Sequence, residues 1–336
     1  MNDLTQAMDK PESKLFSLNP GYSTTRMVTE ERPKIDNSPE AKWHPQVFLP
    51  SHPHRQGEGG LRTKGYFKRN LKDTPLVTII TIVHNGAEYI EKTIESVLNQ
   101  TYNNVEYIII DGDSTDGTTG IIKKYEQAID YWVSEPDSGI SEAFNKGVIA
   151  SRGEWLNFMN CGDTFASADT IRDVVANIDE KADVIFGKAN VVDSQGKILL
   201  IYGRAFDKKK FSRRMTIPHQ SAFHNKKYFE RYGLFDKRLK TGMDYELLLR
   251  KASLSTLFIE KTVSNILAGG LSETQDYLRL RNDRMIKRKY CSDLASVIIE
   301  FDYWYGLGRA LVKRALNHIG LTTVTLKVRQ IESRFR

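Results

Sequence analysis

The chain has 336 residues, of which 40% are hydrophobic and 10% aromatic, which indicates a globular protein of one large domain with extensions or of two small domains. Its net charge is +7, and the 13 Lys and Arg against 6 Asp and Glu from residue 276 onward account for all of it, so the remaining chain offers no broad nucleic-acid surface. Two cysteines, no secretory signal pattern and no run of about 20 apolar residues argue against a disulfide framework and a membrane span, and predict a cytoplasmic protein.

The first 60 residues show no sustained periodicity. They are rich in Pro, Ser, Asn and charged residues, and Gly57–Gly60 is a strong break in any regular structure. Their composition predicts a flexible or loosely docked arm. The histidines His44, His52 and His54 have no accompanying Cys or carboxylate pattern, which favours plain surface histidines over metal ligands.

From Pro75 onward, strands and helices alternate. Three apolar runs have the composition of buried strands, and each ends in a polar turn that contains glycine. The alternation predicts a right-handed, mostly parallel sheet with helices on both faces, whose turns meet at the carboxyl edge, where ligands bind. The long strands are predicted at 76–83, 105–110 and 154–159, a short one at 131–133, and helices at 87–99, from Asp116 and from Ser138.

After Asp163 the pattern changes. Two strands joined by the turn Asp193–Gly196 are predicted, then a third strand, two helices, and a largely helical segment beyond Thr274. The chain therefore divides into an arm (1–60), an α/β domain (61–273) and a basic helical extension (274–336). The strands are predicted at 183–187, 197–201 and 216–224, and the helices at 226–232 and 244–251.

Three aspartates lie at strand ends or at a helix start, where functional carboxylates are expected. Asp111 ends the second strand, where a carboxylate can accept the imide N–H of uracil or a base or ribose donor, or form the turn. Asp163 follows the third strand, where it can hold Mg²⁺ or Mn²⁺ together with substrate phosphates, or stabilise the turn. Asp244 starts a helix, as an N-cap or as a functional carboxylate.

Several nucleotide and hydrolase signatures are absent. His84-Asn85-Gly86 follows the first strand in place of Gly-x-Gly-x-x-Gly, and neither Gly-x-x-x-x-Gly-Lys-Ser/Thr nor Gly-x-Ser-x-Gly occurs. The sequence therefore argues against a dinucleotide dehydrogenase, a P-loop ATPase and an α/β-hydrolase.

Taken together, the ordered blocks resemble a family 2 glycosyltransferase of the GT-A fold, over roughly Leu61 to Lys251. The blocks are Val77–Asn85, Ile110–Thr118, Asn145–Gly147 and the Asp163 turn, and Ser134–Ile140 resembles the colanic acid and O-antigen branch. The resemblance implies an inverting enzyme that moves sugar from a nucleotide-sugar donor, with a UDP-sugar favoured, to a glycan or lipid-linked glycan, with Mn²⁺ or Mg²⁺ as cofactor.

The resemblance also assigns roles. Asp244 would be the catalytic base, and Asp163 would hold the metal on the donor diphosphate. Asp111 would contact the base of the donor. The other residues implied at the nucleotide-sugar pocket are Val83, His84, Asn85, Asp137 and Asn145.

Two departures from the family pattern keep alternatives open. The metal turn reads Asn160-Cys161-Gly162-Asp163 where the family often has Asp-x-Asp-Asp, so His219 is a candidate helper that could instead contact phosphate or acceptor, or merely pack. Met243-Asp244 stands where the family often has Glu-Asp. A catalytically degenerate GT-A binding protein and a sugar nucleotidyltransferase are the rival hypotheses, although the latter lacks its Gly-rich basic loop.

The C-terminal extension contains one amphipathic helix. Trp304, Gly308, Leu311 and Ala315 line one face, and Arg309 lies away from it. Such a face can lie on an anionic membrane, which would make the protein peripheral on the inner face of the cytoplasmic membrane. It can equally pack on the α/β domain or on a second subunit of a homo-oligomer.

Overall fold

A computed structural model describes residues 14–35, 42–269, 275–291 and 296–318. Within these residues, ten strands form one sheet in the order β1-β4-β3-β2-β5-β9-β7-β10-β6, with β8 beside β7. The strands are β1 (Gly57–Gly59), β2 (Val77–Val83), β3 (Val105–Asp111), β4 (Tyr131–Ser134), β5 (Trp155–Asn160), β6 (Thr164–Phe165), β7 (Val184–Val192), β8 (Ile198–Tyr202), β9 (Ala222–Asn225) and β10 (Thr256–Leu267). The helices are α1 (Ile90–Leu98), α2 (Thr118–Lys124), α3 (Ile140–Ala150), α4 (Thr170–Val175), α5 (Lys208–Arg213), α6 (Lys226–Tyr232), α7 (Met243–Leu249), α8 (Asp276–Tyr290) and α9 (Ser296–His318).

The first half of the sheet is parallel and buried on both faces. Strands β4, β3, β2 and β5 pair in parallel, and every residue of β2 and β3 is buried. Because successive residues of a strand point to opposite faces, Ile80 and Ile82 join one core with Phe144 of α3, whereas Ile79 joins the other core with Ile94 of α1. The predicted α/β class with a mostly parallel sheet and flanking helices is confirmed.

The second half of the sheet mixes directions. Strand β9 runs antiparallel to β5 and β7, and β10 runs parallel to β7. The strands predicted at 183–187 and 197–201 are found as β7 and β8. The strand predicted at 216–224 is wrong in its first part, because Pro218 precedes a short 3₁₀ turn at His219–Ser221 and only β9 pairs in the sheet.

Strand β10 is absent from the sequence-based prediction. Its twelve residues include Glu260, Lys261 and Thr262, and its register against β7 shifts twice between Phe258 and Ser264. An irregular strand of this kind loses the strict alternation of apolar and polar residues by which strands are recognised.

The described parts of the first 60 residues contact the domain. The Ser23 hydroxyl donates to the Val97 carbonyl at 2.8 Å, and the Trp43 Nε1 donates to the Phe229 carbonyl at 2.9 Å. Strand β1 pairs with β4. The division of the chain at residues 60 and 273 stays a prediction.

Two antiparallel helices follow the sheet. Helix α8 packs on α7, and α9 packs on α8, where Arg284 and Arg288 both reach Glu300 at 2.6 Å. Among the described helices, none combines the length and the apolar character needed to cross a bilayer. The last part of the predicted extension, residues 319–336, lies outside the described residues.

Candidate active site

The ends of β2, β3 and β4 align at the carboxyl edge of the sheet. Val83 pairs with Asp111, and Asp111 pairs with Ser134. The turn after β2 is joined to the turn after β3, since the His84 Nδ1 lies 2.7 Å from the Gly112 carbonyl oxygen and the Asn85 Oδ1 accepts the Thr115 N–H at 2.9 Å. The structure therefore brings the predicted residues Val83, His84, Asn85 and Asp111 together.

Asp111 organises the second turn. Its buried carboxylate accepts the Ser134 hydroxyl at 2.6 Å, the Ser114 N–H at 3.1 Å and the Ser114 hydroxyl. Since a carboxylate has about four acceptor positions, these three bonds leave about one for a ligand donor. Asp111 can therefore shape the turn and contact a base or ribose at once.

Asp137 joins this edge and Asn145 does not reach it directly. Asp137 Oδ1 accepts the Gly139 N–H at 2.7 Å, and a Cβ at position 112 would lie 2.8 Å from its Oδ2, so Gly112 permits the close approach. Burial raises the pKa of the Asp137 carboxyl. Both amide atoms of Asn145 are bonded to the backbone of Phe235, at 2.8 and 2.9 Å. The donor-binding role of Asn145 stays a prediction, and its observed partners tie it to the loop before α7.

Asp163 is buried at the end of the third long strand. Its Oδ1 accepts the Leu267 N–H at 2.9 Å, and its Oδ2 accepts the Gln220 amide at 2.9 Å and the Asn160 amide at 3.2 Å. Burial raises the pKa of its carboxyl to about 6, although these hydrogen bonds oppose the shift. The carboxylate is therefore held in place by three hydrogen bonds from separate parts of the chain, with about one acceptor position left.

The residues present suit a metal that is shared with a substrate. Among the described residues, no three His, Cys, Asp or Glu side chains converge as a metal site. Mg²⁺ and Mn²⁺ are commonly held by only one or two carboxylates, with substrate phosphates and water as the other ligands. Asp163 fits that limited contribution.

His219 lies in an aromatic cluster. Its ring stacks on Phe158 with 5.2 Å between centroids, and neither ring nitrogen has a hydrogen-bond partner in the described part of the chain. Burial lowers the pKa of His219, while the Asp244 carboxylate opposes this shift. The neutral imidazole is the form that ligates a metal or accepts a proton.

Asp244 lies on the first turn of α7, and α8 packs beside it. The Asn282 amide donates to the Thr241 carbonyl at 3.0 Å and to its hydroxyl at 3.1 Å. A Cβ on Gly242, whose φ is 75°, would lie 3.5 Å from Asp283 Oδ1. Helix α8 therefore holds the segment that carries Asp244.

Asp283 is a carboxyl group close to Asp244 that the sequence analysis did not single out. Burial raises the pKa of its carboxyl to about 6, Arg279 and Lys287 oppose the shift, and Asp244 adds to it. Asp283 and Asp244 are far apart in sequence, and a lone carboxylate in a basic helix was the only available signal.

One short turn links the two halves of the site. Within the 3₁₀ turn, the Gln220 amide donates a hydrogen bond to the Asp163 carboxylate. The neighbouring His219 is close enough to Asp244 for that carboxylate to oppose the lowering of the His219 pKa. The carboxylate proposed for the metal and the carboxylate proposed as base therefore flank the same turn. Such an arrangement can hold a polyanionic donor on one side and remove a proton on the other.

Residues 78–250 match the family model described as glycosyl transferase family 2. The fold is α/β, and its candidate site lies at the carboxyl edge of the parallel strands. Because the match covers just over half of the chain, the chain belongs to glycosyl transferase family 2 and is a glycosyltransferase. The family favours this activity over the sugar nucleotidyltransferase alternative.

The chain is also similar to curated proteins. An uncharacterized glycosyltransferase of Mycobacterium tuberculosis is 30% identical over 191 residues, which span 54% of this chain and 71% of the relative. A PGL/p-HBAD biosynthesis glycosyltransferase of Mycobacterium bovis is 28% identical over 211 residues, or 60% of this chain and 80% of the relative.

Solved structures agree on the fold. A mannosyltransferase from Pyrobaculum calidifontis, in complex with GDP-Man and Mn²⁺, superimposes with a TM-score of 0.53 at 15% identity and covers 80% of this chain and 86% of its own. TarS of S. aureus gives a TM-score of 0.50 at 18% identity, over 70% of this chain and 43% of TarS. The predicted GT-A fold is confirmed.

Proposed function

We propose that the chain is an inverting hexosyltransferase of bacterial surface polysaccharide synthesis, of the colanic acid and O-antigen type. It would move a sugar from a nucleotide-diphosphate sugar to a hydroxyl of a lipid-linked glycan. The observation that supports this most is the placement of Asp163 and Asp244 on the two sides of the His219–Ser221 turn. Such spacing suits a donor diphosphate and an acceptor hydroxyl that meet at one sugar.

The donor would lie along the carboxyl edge. Val83, His84 and Asn85 would shape the nucleotide pocket, and Asp111 would accept an N–H of the base. The uracil imide offers such a donor, so a UDP-sugar is favoured. The complex of the similarly folded mannosyltransferase with GDP-Man supports a nucleotide-sugar in general and makes a GDP-sugar the natural competitor in a screen. Asp137 and Asn145 would support the same pocket.

Asp163 would hold Mn²⁺ or Mg²⁺, with His219 as the second candidate ligand. Bound metal supplies charge stabilisation to the leaving nucleotide diphosphate. The hydrogen bonds from Leu267, Gln220 and Asn160 would keep the Asp163 carboxylate fixed while the donor binds.

Asp244 would take the proton of the acceptor hydroxyl as its oxygen attacks C1 of the sugar. The bond from C1 to the diphosphate oxygen would break on the opposite side, so the anomeric configuration would invert. Helix α8, which is bonded to the preceding Thr241, would keep the base at a fixed distance from the donor.

The acceptor chemistry suggests where the enzyme works. A lipid-linked glycan is presented at a membrane surface, so we place the protein peripherally on the inner face of the cytoplasmic membrane. The basic excess from residue 276 onward supports this location. A homo-oligomer is the alternative use of the same segment.

The test is a screen of UDP- and GDP-sugars by released nucleotide diphosphate, with a lipid-linked acceptor extract. Chelator should abolish release and Mn²⁺ or Mg²⁺ should restore it. Asp244→Asn should lower kcat by roughly 10²–10⁴-fold and leave the KM for donor unchanged. A near-normal kcat of this variant, full activity of Asp163→Ala in chelator, or a product anomer equal to that of the donor would contradict the proposal.

A further inference from the structure

Helix α9 presents a wide apolar face to solvent. Its large apolar side chains on this face are 59–74% exposed, whereas the long strands of the sheet are wholly buried. At 100° per residue, these positions fall on one side of the helix together with Gly308 and Ala315. The exposed large side chains are Val297, Phe301, Trp304, Tyr305, Leu311 and Val312.

The opposite side of α9 already has a partner. Ile299 is buried, and a Cβ at Gly306 would lie 2.5 Å from the Leu280 side chain of α8. The apolar surface that folding needs to cover is therefore on that side. The outward face remains uncovered by any described residue near it, and an apolar patch of this size marks an interaction surface.

The charged residues of α9 indicate what kind of partner its outward face would bind. Of the two acidic residues in the described part of α9, Asp302 lies on the inward side and pairs with Arg213. Glu300 lies at the border of the apolar face and pairs with Arg284 and Arg288 of α8. The basic residues Arg309 and Arg314 are exposed at the two borders of the apolar face. The outward side thus combines aromatic and aliphatic side chains with flanking cations, and the one carboxylate at its border is already paired with two arginines of α8.

A lipid interface fits this combination better than a second copy of the chain. Trp and Tyr favour the boundary between lipid headgroups and acyl chains, and Arg favours anionic headgroups. Two copies that met through this face would bring their like-charged flanking arginines together, while Glu300 at its border is already paired with Arg284 and Arg288. A basic, aromatic helix that is too polar to span a bilayer lies in its interface.

We propose that the outward face of α9 docks into the interface of an anionic lipid bilayer. Helix α8 lies between α9 and α7, and two helix layers correspond to about 20 Å. Docking would therefore hold Asp244 close to the membrane surface. The benefit to catalysis rests on the proposed function, since it requires a lipid-linked acceptor.

The experiment measures sedimentation of the full chain with vesicles, without donor or acceptor. Vesicles of phosphatidylcholine with phosphatidylglycerol should bind the protein at low salt, and pure phosphatidylcholine vesicles should bind it much less. The double variant Trp304→Gln/Leu311→Gln should bind roughly tenfold or more weakly, because two large apolar side chains no longer enter the interface.

The matched control is Ile198→Gln/Ile201→Gln on β8, where both side chains are 50–52% exposed. This control should bind vesicles like the wild type. Arg309→Gln should weaken binding to anionic vesicles more than to neutral ones. Circular dichroism and thermal unfolding of each variant check that it is folded.

Three results would overturn the inference. They are no binding of the folded wild type to anionic vesicles at low salt, equal binding of the α9 and β8 variants, and a wild-type dimer that the α9 variant dissociates without any loss of vesicle binding. Because vesicle binding needs no substrate, a chain that binds vesicles but releases no nucleotide diphosphate would refute the proposed function and leave this inference intact.

Discussion

Asp283 is a carboxyl group that folding places beside a second carboxylate. Its pKa is raised to about 6, above the value near 3.9 of an unfolded aspartate. The folded state therefore binds the proton more tightly. The resulting stabilisation is fully present below the unfolded pKa and is lost as the pH rises through about 6.

Asp283→Asn should therefore stabilise the protein at high pH. The variant carries no charge, so its free energy of unfolding at pH 8 should exceed that of the wild type by roughly 1–3 kcal/mol, and the difference should vanish near pH 4. Urea unfolding at both pH values measures this. Asp173→Asn, which removes a surface pair with Lys261, is the control and should change stability little. A gain of equal size at both pH values would rule out titration of Asp283 as the cause.

At the scale of single residues, the sequence predicts only those side chains that stand in a local pattern. Asp111 and Asp163 were identifiable because each follows an apolar strand, which is a local pattern. Gln220 bonds to Asp163 across 57 positions, and Asn282 bonds to Thr241 across 41. Only tertiary packing creates such contacts, so neither residue carries a local signal.

At the scale of elements, α8 and the start of α7 act together. The Asn282 amide holds Thr241, two residues before the helix that carries Asp244. Glu246, on the same helix, accepts the Tyr290 hydroxyl of α8 at 2.5 Å. Helix α8 thus contributes to the position of Asp244, the proposed base.

Asn282→Ala should lower kcat by on the order of tenfold and leave the KM for the donor nearly unchanged. The reason is that the segment carrying Asp244, the proposed base, becomes less firmly held, while the residues proposed to bind the donor are unaffected. Steady-state kinetics with varied donor measures this split. The control is Asn177→Ala, which removes an exposed hydrogen bond from the Asn177 side-chain amide to the Asp173 carbonyl near α4. A rise in the donor KM with an unchanged kcat would contradict the positioning role.

Helices and strands differ in how clearly their local sequence predicts them. Strands β2, β3 and β5 are continuous apolar runs with polar turns, and all three were predicted. The first part of the strand expected at 216–224 is a turn because Pro218 cannot donate to a ladder. Strand β10 was missed because its bulges and its charged residues interrupt the alternation.

For the whole molecule, the described part of the N-terminal segment, residues 14–35 and 42–60, contacts both faces of the sheet. Ser23 and Thr24 bond to carbonyls of Val97 and Ala128 on one face. Trp43 is buried in the core of the other face, and the Gln46 N–H donates to the Ile149 carbonyl at the end of α3. These contacts indicate that the described part of the segment adds to stability, which the composition of the first 60 residues did not suggest.

Trp43→Ala tests this contribution. The ring is 8% exposed and its Nε1 donates to the Phe229 carbonyl, so its loss should lower the free energy of unfolding by about 3–5 kcal/mol. Trp304→Ala is the matched control, because its ring is 62% exposed and its loss should change stability in lipid-free buffer by less than about 0.5 kcal/mol. Urea unfolding followed by circular dichroism compares the two variants. Equal and small effects would mean that the segment is only loosely docked, as its composition predicts; a large effect confined to Trp43 would mean that it belongs to the folded core.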